Sequence, residues 1–273
     1  MLRTVVCVDG LNVGYTSFYR TMNKMGIPRK PSIIYNNKWI EDNEFMNLFK
    51  IDIIESIIKD VNLSNTCYFI AIDDDNPVNY WRKDVYKGYK GKKRRNRSTM
   101  VPAFTCAFDY VASELCTQII KIPHAEADDI IGVITRKLIS NDIVIVSTDS
   151  DFNQLRNDNV DIKSPDSIDR SNKFTVPSNM NIERFAVNQL WKKIIVGDPT
   201  DKIPGAIPGV GKIKAASLIT ELTRHSIETI VNEHYGDRRD IVNAIKRNRK
   251  LIDLQYTPKY IEKSTMEFIK NRA

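Results

Sequence analysis

Thr4-Val5-Val6-Cys7-Val8-Asp9 is the stretch on which the fold turns: a run of apolar, largely β-branched residues that closes without a gap on an acid. A run with no polar alternation describes a strand covered on both faces, the habit of parallel α/β sheets. Residues 67–72 repeat the pattern and close on Asp73. Residues 143–147 repeat it again, with Asp149 following one residue later. Between these runs, residues 45–61 and 127–139 carry helical spacing, as in Ile130, Ile131, Ile134 and Leu138. Strand and helix alternate, so the predicted class is α/β. Ligands of open parallel sheets gather outside the carboxyl ends of the strands, which places acids from distant parts of the chain on one side of the sheet.

Outward from these runs, the 273 residues suffice for a sizeable core. No internal period is present, and no apolar stretch approaches the roughly 18 residues of a membrane span. The opening apolar run is too brief for a secretory signal. Cys7, Cys67, Cys106 and Cys116 form no paired motif, which predicts reduced thiols and a cytoplasmic protein with no membrane partner. The net charge of +7 is modest, but its distribution is not. Lys83, Lys87, Lys90, Lys92, Lys93, Arg94 and Arg95 cluster between Arg82 and Arg97 against one acid, Asp84. After about residue 180 the strand signal fades. Residues 182–230 read as helices broken at Gly197-Asp198-Pro199 and at the glycine-rich stretch 204–211. This gives an expected boundary near residue 185: a core over 1–185 and a helical region over 186–273, with the tail from 237 helical, then basic and irregular.

The acids with metal-ligating potential are Asp9, Asp73, Glu126, Asp128, Asp129, Asp149, Asp151, Asp198 and Asp201. Local readings exist for several. Glu126, Asp128 and Asp129 stand where a helix begins, and the helix dipole favours acids there without any metal. The pairs Asp149/Asp151 and Asp198/Asp201 fit capped turns. Together, however, so many carboxylates at one sheet edge would repel one another and raise their own pKa values, and a cation relieves this. Oxygen-only donors suit Mg²⁺, with Mn²⁺ as a substitute, whereas His124, His225 and His234 give no zinc spacing. Two such ions about 4 Å apart can activate water and stabilise a leaving oxygen in phosphodiester hydrolysis. Of the triplet Asp73, Asp74 and Asp75, the first follows its strand directly and is the favoured ligand.

Residues 80–95 interleave Tyr80, Trp81, Tyr86 and Tyr89 with cations, the composition of a surface that tracks a polyanion; Tyr89 is expected to stack on a base. Gly209-Val210-Gly211-Lys212-Ile213-Lys214 is a glycine hairpin opening a helix, suited to close approach of backbone to phosphate. It lacks the nucleotide P-loop spacing, since Ile213 follows Lys212. A solvated loop and a plain helix–helix turn are the respective alternatives.

In order and spacing, Val8-Asp9-Gly10-Leu11-Asn12, Ile72-Asp73, Trp81-Arg82 through Tyr89-Lys90, Ala125-Glu126-Ala127-Asp128-Asp129, Ser147-Thr148-Asp149-Ser150-Asp151 and Gly197-Asp198 through Lys212 resemble the flap endonuclease and 5′-nuclease family, most closely its stand-alone bacteriophage members and phage ribonuclease H. The resemblance implies a PIN-like core, a helical arch over about residues 80–112, and a helix–three-turn–helix that grips duplex and holds K⁺. It also implies two Mg²⁺ sites, with Asp9, Asp73, Glu126 and Asp128 on one side and Asp149, Asp151 and Asp201 on the other, while Asp129 and Asp198 have no assigned side. Lys90 and Arg82 would steady the scissile phosphate, and Lys83, Tyr89, Lys93, Arg94, Gly209, Gly211, Lys212 and Lys214 would contact DNA. An arginine often follows the family's Tyr-Lys pair by three residues. Lys93 holds that place here, with Arg94 beside it.

The implied activity is 5′-to-3′ exonuclease and flap endonuclease action by a monomer on flaps, nicks and RNA–DNA hybrids, removing primers during replication. Single-strand-binding protein or other replisome components are the expected protein partners. The polymerase found beside this domain in bacterial DNA polymerase I is not expected. The competing readings are a PIN-type ribonuclease and a non-catalytic structure-specific DNA-binding protein.

Overall fold

In the computed structural model, which describes residues 4–28, 39–59, 61, 65–91, 100–166, 175–222 and 224–270, the opening run is the central strand of the sheet. The strands are β1 (Thr4–Asp9), β2 (Thr66–Ala71), β3 (Gln118–Ile120), β4 (Ile143–Val146) and β5 (Val160–Lys163). All pair in parallel, in the order β3-β2-β1-β4-β5. The continuous apolar character of β1 is explained by its two faces. Val5 and Cys7 enter one buried cluster with Ile130, Ile131 and Ile134 of α5 (Ala127–Lys137). Val6 and Val8 enter another with Phe18 of α1 (Gly10–Lys24), Phe49 of α2 (Asn43–Ile58) and Phe108 of α4 (Val101–Glu114). The parallel α/β expectation holds, with β3, β5 and α1 added to it.

Asp9 ends β1 and caps α1 with no linker, and Gly10 is what permits this. A Cβ there would lie 2.9 Å from the Ala71 carbonyl and from Ile72. The acid is thereby fixed at the strand's carboxyl end, with β2 packed directly beside it.

The position of the boundary expected near residue 185 lies within the continuous helix α6 (Ile182–Val196). A third cluster does join α6, α7 (Lys212–Glu221), α8 (Ile227–Tyr235) and α9 (Arg239–Ile252). The chain then returns to the sheet, where Leu254 and then Ile261 and Ile269 of α10 (Lys259–Lys270) enter the cluster of α5 and β1. The tail from 237, expected to be helical and then irregular, is helical again over Lys259–Lys270. Tyr80 and Tyr89, flanking the short helix α3 (Arg82–Val85), also belong to the third cluster, so this part of the expected arch is core. Lys93 and Arg94 lie outside the described residues. No helix among the described residues is long and apolar enough to cross a membrane.

Candidate active site

Three strand ends and one helix start converge. Asp9 accepts hydrogen bonds from the Asn12 N–H at 3.2 Å and the Ser147 hydroxyl at 2.8 Å. Asp73, just beyond β2, accepts from the Ala127 N–H at 2.9 Å and the Tyr80 hydroxyl at 3.3 Å. Asp149 caps a 3-10 turn over Ser150–Leu155, accepting the Asp151 N–H at 2.9 Å. Asn12 ties the turns together: its Nδ2 donates to Thr148 Oγ1 at 2.9 Å, and the Thr148 N–H donates to its Oδ1 at 2.9 Å. Burial, then the charges of Asp73 and Asp149, push Asp9 up to about 7. Burial and then Asp149 and Asp9 raise Asp128 well above the carboxylate range. Asp73 is raised by burial and by Glu126, with Lys90 opposing. This is the electrostatic signature of acids that lack a counter-ion of sufficient charge.

Beside them lies a bracket in which every acid has a cation. Arg82 is 3% exposed; it donates from Nε to the Leu251 carbonyl at 2.8 Å and from one terminal nitrogen to Glu126 and Asp129, each at 2.9 Å. Its other terminal nitrogen pairs with Asp129 at 2.8 Å. Asp129 also accepts from the Trp81 indole and from the Glu126 N–H, both at 3.0 Å. Burial would raise Glu126, but Lys90 and Arg82 hold it below its ordinary value.

Three of the expected site residues lie in this bracket. Asp129, expected among the metal ligands, is fully buried and turned to Arg82. Arg82, expected at the scissile phosphate, spends its guanidinium on Glu126, Asp129 and the Leu251 carbonyl. Tyr89, 3% exposed, donates to Glu126 at 2.8 Å and Asp201 at 3.2 Å, so its ring is no platform for a base.

Lys90 stands at the rim with a third of its side chain exposed, contacting Glu126 and lying 3.7 Å from Asp201. Burial would lower its pKa, but Glu126, Tyr89, Asp201 and Asp73 outweigh burial and keep it charged. Its backbone takes φ 45°, a left-handed value unusual for lysine, and its N–H donates to the Asp201 carbonyl at 2.9 Å. Asp201 lies between the two regions: its side chain meets Lys90 and Tyr89, and its N–H donates to Asp198 Oδ1 at 3.5 Å. Asp198 lies beside Asp151, the two bridged by Lys193, which contacts Asp151 and lies 2.9 Å from Asp198. Among the described residues no three of these acids, as they stand, form a group able to hold an ion.

At the hairpin, Gly209 takes φ +71°, and a Cβ on either Gly209 or Gly211 would meet nothing within 4 Å. Lys212, Ile213 and Lys214 are exposed on the first turn of α7, while Lys83 is only partly so. Tyr80, Asn12, Ser147 and Lys193 were not singled out as site residues from sequence. Asn12 lies in the quoted Asp9–Asn12 motif, so its presence there was a usable signal; Lys193 gave none, since its partners are set by tertiary packing.

A parallel sheet with buried acids massed beyond β1, β2 and β4, flanked by a basic helical region with a glycine hairpin, defines a PIN-like nuclease. The family model for "5′-3′ exonuclease, N-terminal resolvase-like domain" matches residues 4–186, and the chain belongs to the 5′-3′ exonuclease and flap endonuclease family, whose chemistry is phosphodiester hydrolysis. It is 28% identical over 92% of its length to the 5′-3′ exonuclease of Buchnera aphidicola from Acyrthosiphon pisum, covering 80% of that protein. It is 32% identical over 55% of its length to flap endonuclease Xni of Shewanella woodyi, covering 58% of that one. The fold matches a bacteriophage T5 flap endonuclease solved with DNA and metal ions, with a TM-score of 0.63 and 20% identity over 98% of each chain.

Proposed function

We propose that this chain is a divalent-metal-dependent 5′-3′ exonuclease and flap endonuclease that removes flaps and RNA primers from replicating DNA. The observation that carries the metal requirement is the inner group Asp9, Asp128 and Asp149, with Asp73 alongside. These carboxylates crowd one another, and burial with mutual repulsion raises Asp9, Asp128 and Asp73, the mark of missing positive charge. Oxygen-only donors of this kind fit Mg²⁺ or Mn²⁺. Asp9, Asp73, Asp128 and Asp149 would hold the inner ion, and Asp151 and Asp198, with Asp201 near them in sequence, the outer one. Bound there, the ions supply an activated water and charge stabilisation for the leaving oxygen.

The chain's own residues do the rest. Glu126 and Asp201 aim the Lys90 ammonium at the rim, where it meets the phosphate and stabilises its developing charge. Arg82 and Tyr89 fix Glu126 and so act as positioning residues. Gly209, Gly211, Lys212 and Lys214 present backbone N–H groups and charge to duplex, and the hairpin carbonyls are the candidate K⁺ position. Lys83, Lys93 and Arg94 supply further contacts to DNA.

An end-labelled 5′-flap duplex and an RNA–DNA hybrid, incubated with and without Mg²⁺, test this. Cuts near the junction that need both metal and duplex are the expected result, and Asp151→Asn should abolish them while sparing binding. Cleavage of single-stranded RNA regardless of duplex would select the ribonuclease reading. Tight binding without cutting in Mg²⁺ or Mn²⁺ would select the non-catalytic one.

A further inference from the structure

Lys193 lies near the end of α6, and its ammonium contacts Asp151 Oδ1 and sits 2.9 Å from Asp198 Oδ2. Both acids are on rigid turns. Asp151 belongs to the 3-10 turn that packs on α6. Asp198 follows Gly197, whose φ of +85° and near contact with the Ile203 carbonyl exclude other residues. Its backbone exchanges hydrogen bonds with Ile203 at 2.9 and 2.8 Å, and its side chain accepts the Thr200 N–H at 2.8 Å. The three side chains are largely but not wholly buried, at 27%, 19% and 10% exposure for Lys193, Asp151 and Asp198. Of the three, the lysine stem alone is long, flexible and open to solvent, so it can swing out while the carboxylates stay. The inner acids differ: Asp9 takes its hydrogen bonds from a hydroxyl and a backbone N–H, both neutral.

We propose that Lys193 is the resident counter-ion of the outer carboxylates: its ammonium holds Asp151 and Asp198 together until a divalent ion displaces it, so Lys193 sets the affinity of the outer ion alone. This inference rests on the metal-dependent reading of the site. The exchange replaces one positive charge by two on the same pair of acids, and the ammonium leaves to solvent. The outer ion is therefore the weaker of the two, held back by the ion pair it must break.

Calorimetric titration of the full chain with Mn²⁺ tests this in the wild type, Lys193→Gln and Lys192→Gln. The wild type is expected to show a tighter and a weaker site. K193Q should tighten the weaker one about tenfold and leave the tighter within about twofold, while K192Q, which removes equal charge from the same turn of α6, stays within about twofold at both. Without metal, K193Q should melt below wild type, and Mn²⁺ should close the gap; a purely structural lysine would leave the gap open and the affinity no higher.

A measurement on the wild type needs no variant to fold. The ¹⁵N signal of the Lys193 ammonium, slowed by its ion pair, should be lost on saturation with Mg²⁺. An unchanged signal, or an outer site no tighter in K193Q, overturns the proposal while the metal reading stands. Absence of Mn²⁺ binding in all three proteins overturns both.

Discussion

Asp128 and Asp129 are neighbours on one helix, yet they serve opposite regions of the molecule. Successive side chains on a helix point about 100° apart. Asp128 therefore meets Asp9 and Asp149 and is driven far up in pKa by burial and their charges, while Asp129 meets the guanidinium of Arg82 in a fully buried pair. Glu126, one turn earlier, falls on the same side as Asp129 and is lowered where Asp128 is raised. Burial is common to all three. What separates them is a cation within bonding distance, and this divides the acids into those set against like charges and those already paired.

The largest expected effect breaks the first region. Asp128→Asn should reduce flap cleavage at least about 10⁴-fold, equivalent to roughly 5.5 kcal/mol of transition-state stabilisation, and should leave the metal-free protein no less stable, because it removes a repelling charge. Single-turnover kinetics and thermal melts in EDTA check the two halves, and loss of both activity and stability would move Asp128 into the structural bracket. The same region fixes a pH dependence. Asp9 holds its proton to about pH 7 in the native state but releases it near 3.8 when unfolded, so between these values the native state binds more protons. Its contribution to the metal-free stability therefore falls as pH rises from about 4 to about 7. Mg²⁺ competes with that proton, and its stabilising effect should grow over the same interval; melts with Mg²⁺ and with EDTA at pH 5, 6, 7 and 8 would show a widening gap.

Arg82→Met sharpens the comparison from the other side. It leaves Glu126 and Asp129 buried without their guanidinium, a loss of about 3–5 kcal/mol of folding stability measurable by urea denaturation. Were Arg82 instead a phosphate ligand, the variant would fold normally and fail only in binding and cleavage.

This is also where sequence ran out. β1, β2 and β4 were legible because burial on both faces writes itself as unbroken apolar runs, and acids directly after such runs are placed by topology alone. β3 is only Gln118–Ile120, and β5 mixes Asp161 and Lys163 into its four residues, as edge strands do, so neither stood out. α9 falls in the stretch expected to be helical, whereas α10 looked irregular because Lys259, Lys263 and Lys270 punctuate its exposed face. Within the site, the alternation of rings and cations from Tyr80 to Lys90 is the same whether the rings face solvent or core. Only the tertiary pairing of Arg82 with Glu126 and Asp129, and of Tyr89 with Glu126 and Asp201, decides it.

Tyr89→Phe tests that decision with a smaller effect. Losing the hydroxyl removes the one proton that Glu126 and Asp201 share, worth about 1–2 kcal/mol of stability, and should slacken Lys90 enough to lower the cleavage rate. Affinity for flap DNA in Ca²⁺ should stay within about twofold of wild type for Tyr89→Phe and Tyr89→Leu alike. A base-stacking ring would behave differently: Phe would be neutral throughout, and Leu would weaken binding by about 1–3 kcal/mol.

The smallest effects separate the two hairpin glycines. Gly209 sits at φ +71°, where alanine costs about 1–2 kcal/mol whatever the surrounding space. Gly211 sits at φ −89° and ψ −176°, ordinary extended backbone, and a methyl group added there would have nothing within 4 Å. Gly211 is the N-cap of α7, where glycine is favoured over alanine, so in Gly211→Ala the lost cap opposes the entropy gained through the unfolded state and stability should change by less than about 1 kcal/mol. If the open space above Gly211 admits a phosphate, the same methyl group weakens duplex binding several-fold, most visibly at low salt, where backbone contacts dominate. A chain that melts close to wild type and binds duplex worse would show that this glycine is kept free for DNA rather than for folding. Unchanged binding would take Gly211 out of the interface and leave Lys212 and Lys214 to hold the duplex by charge alone.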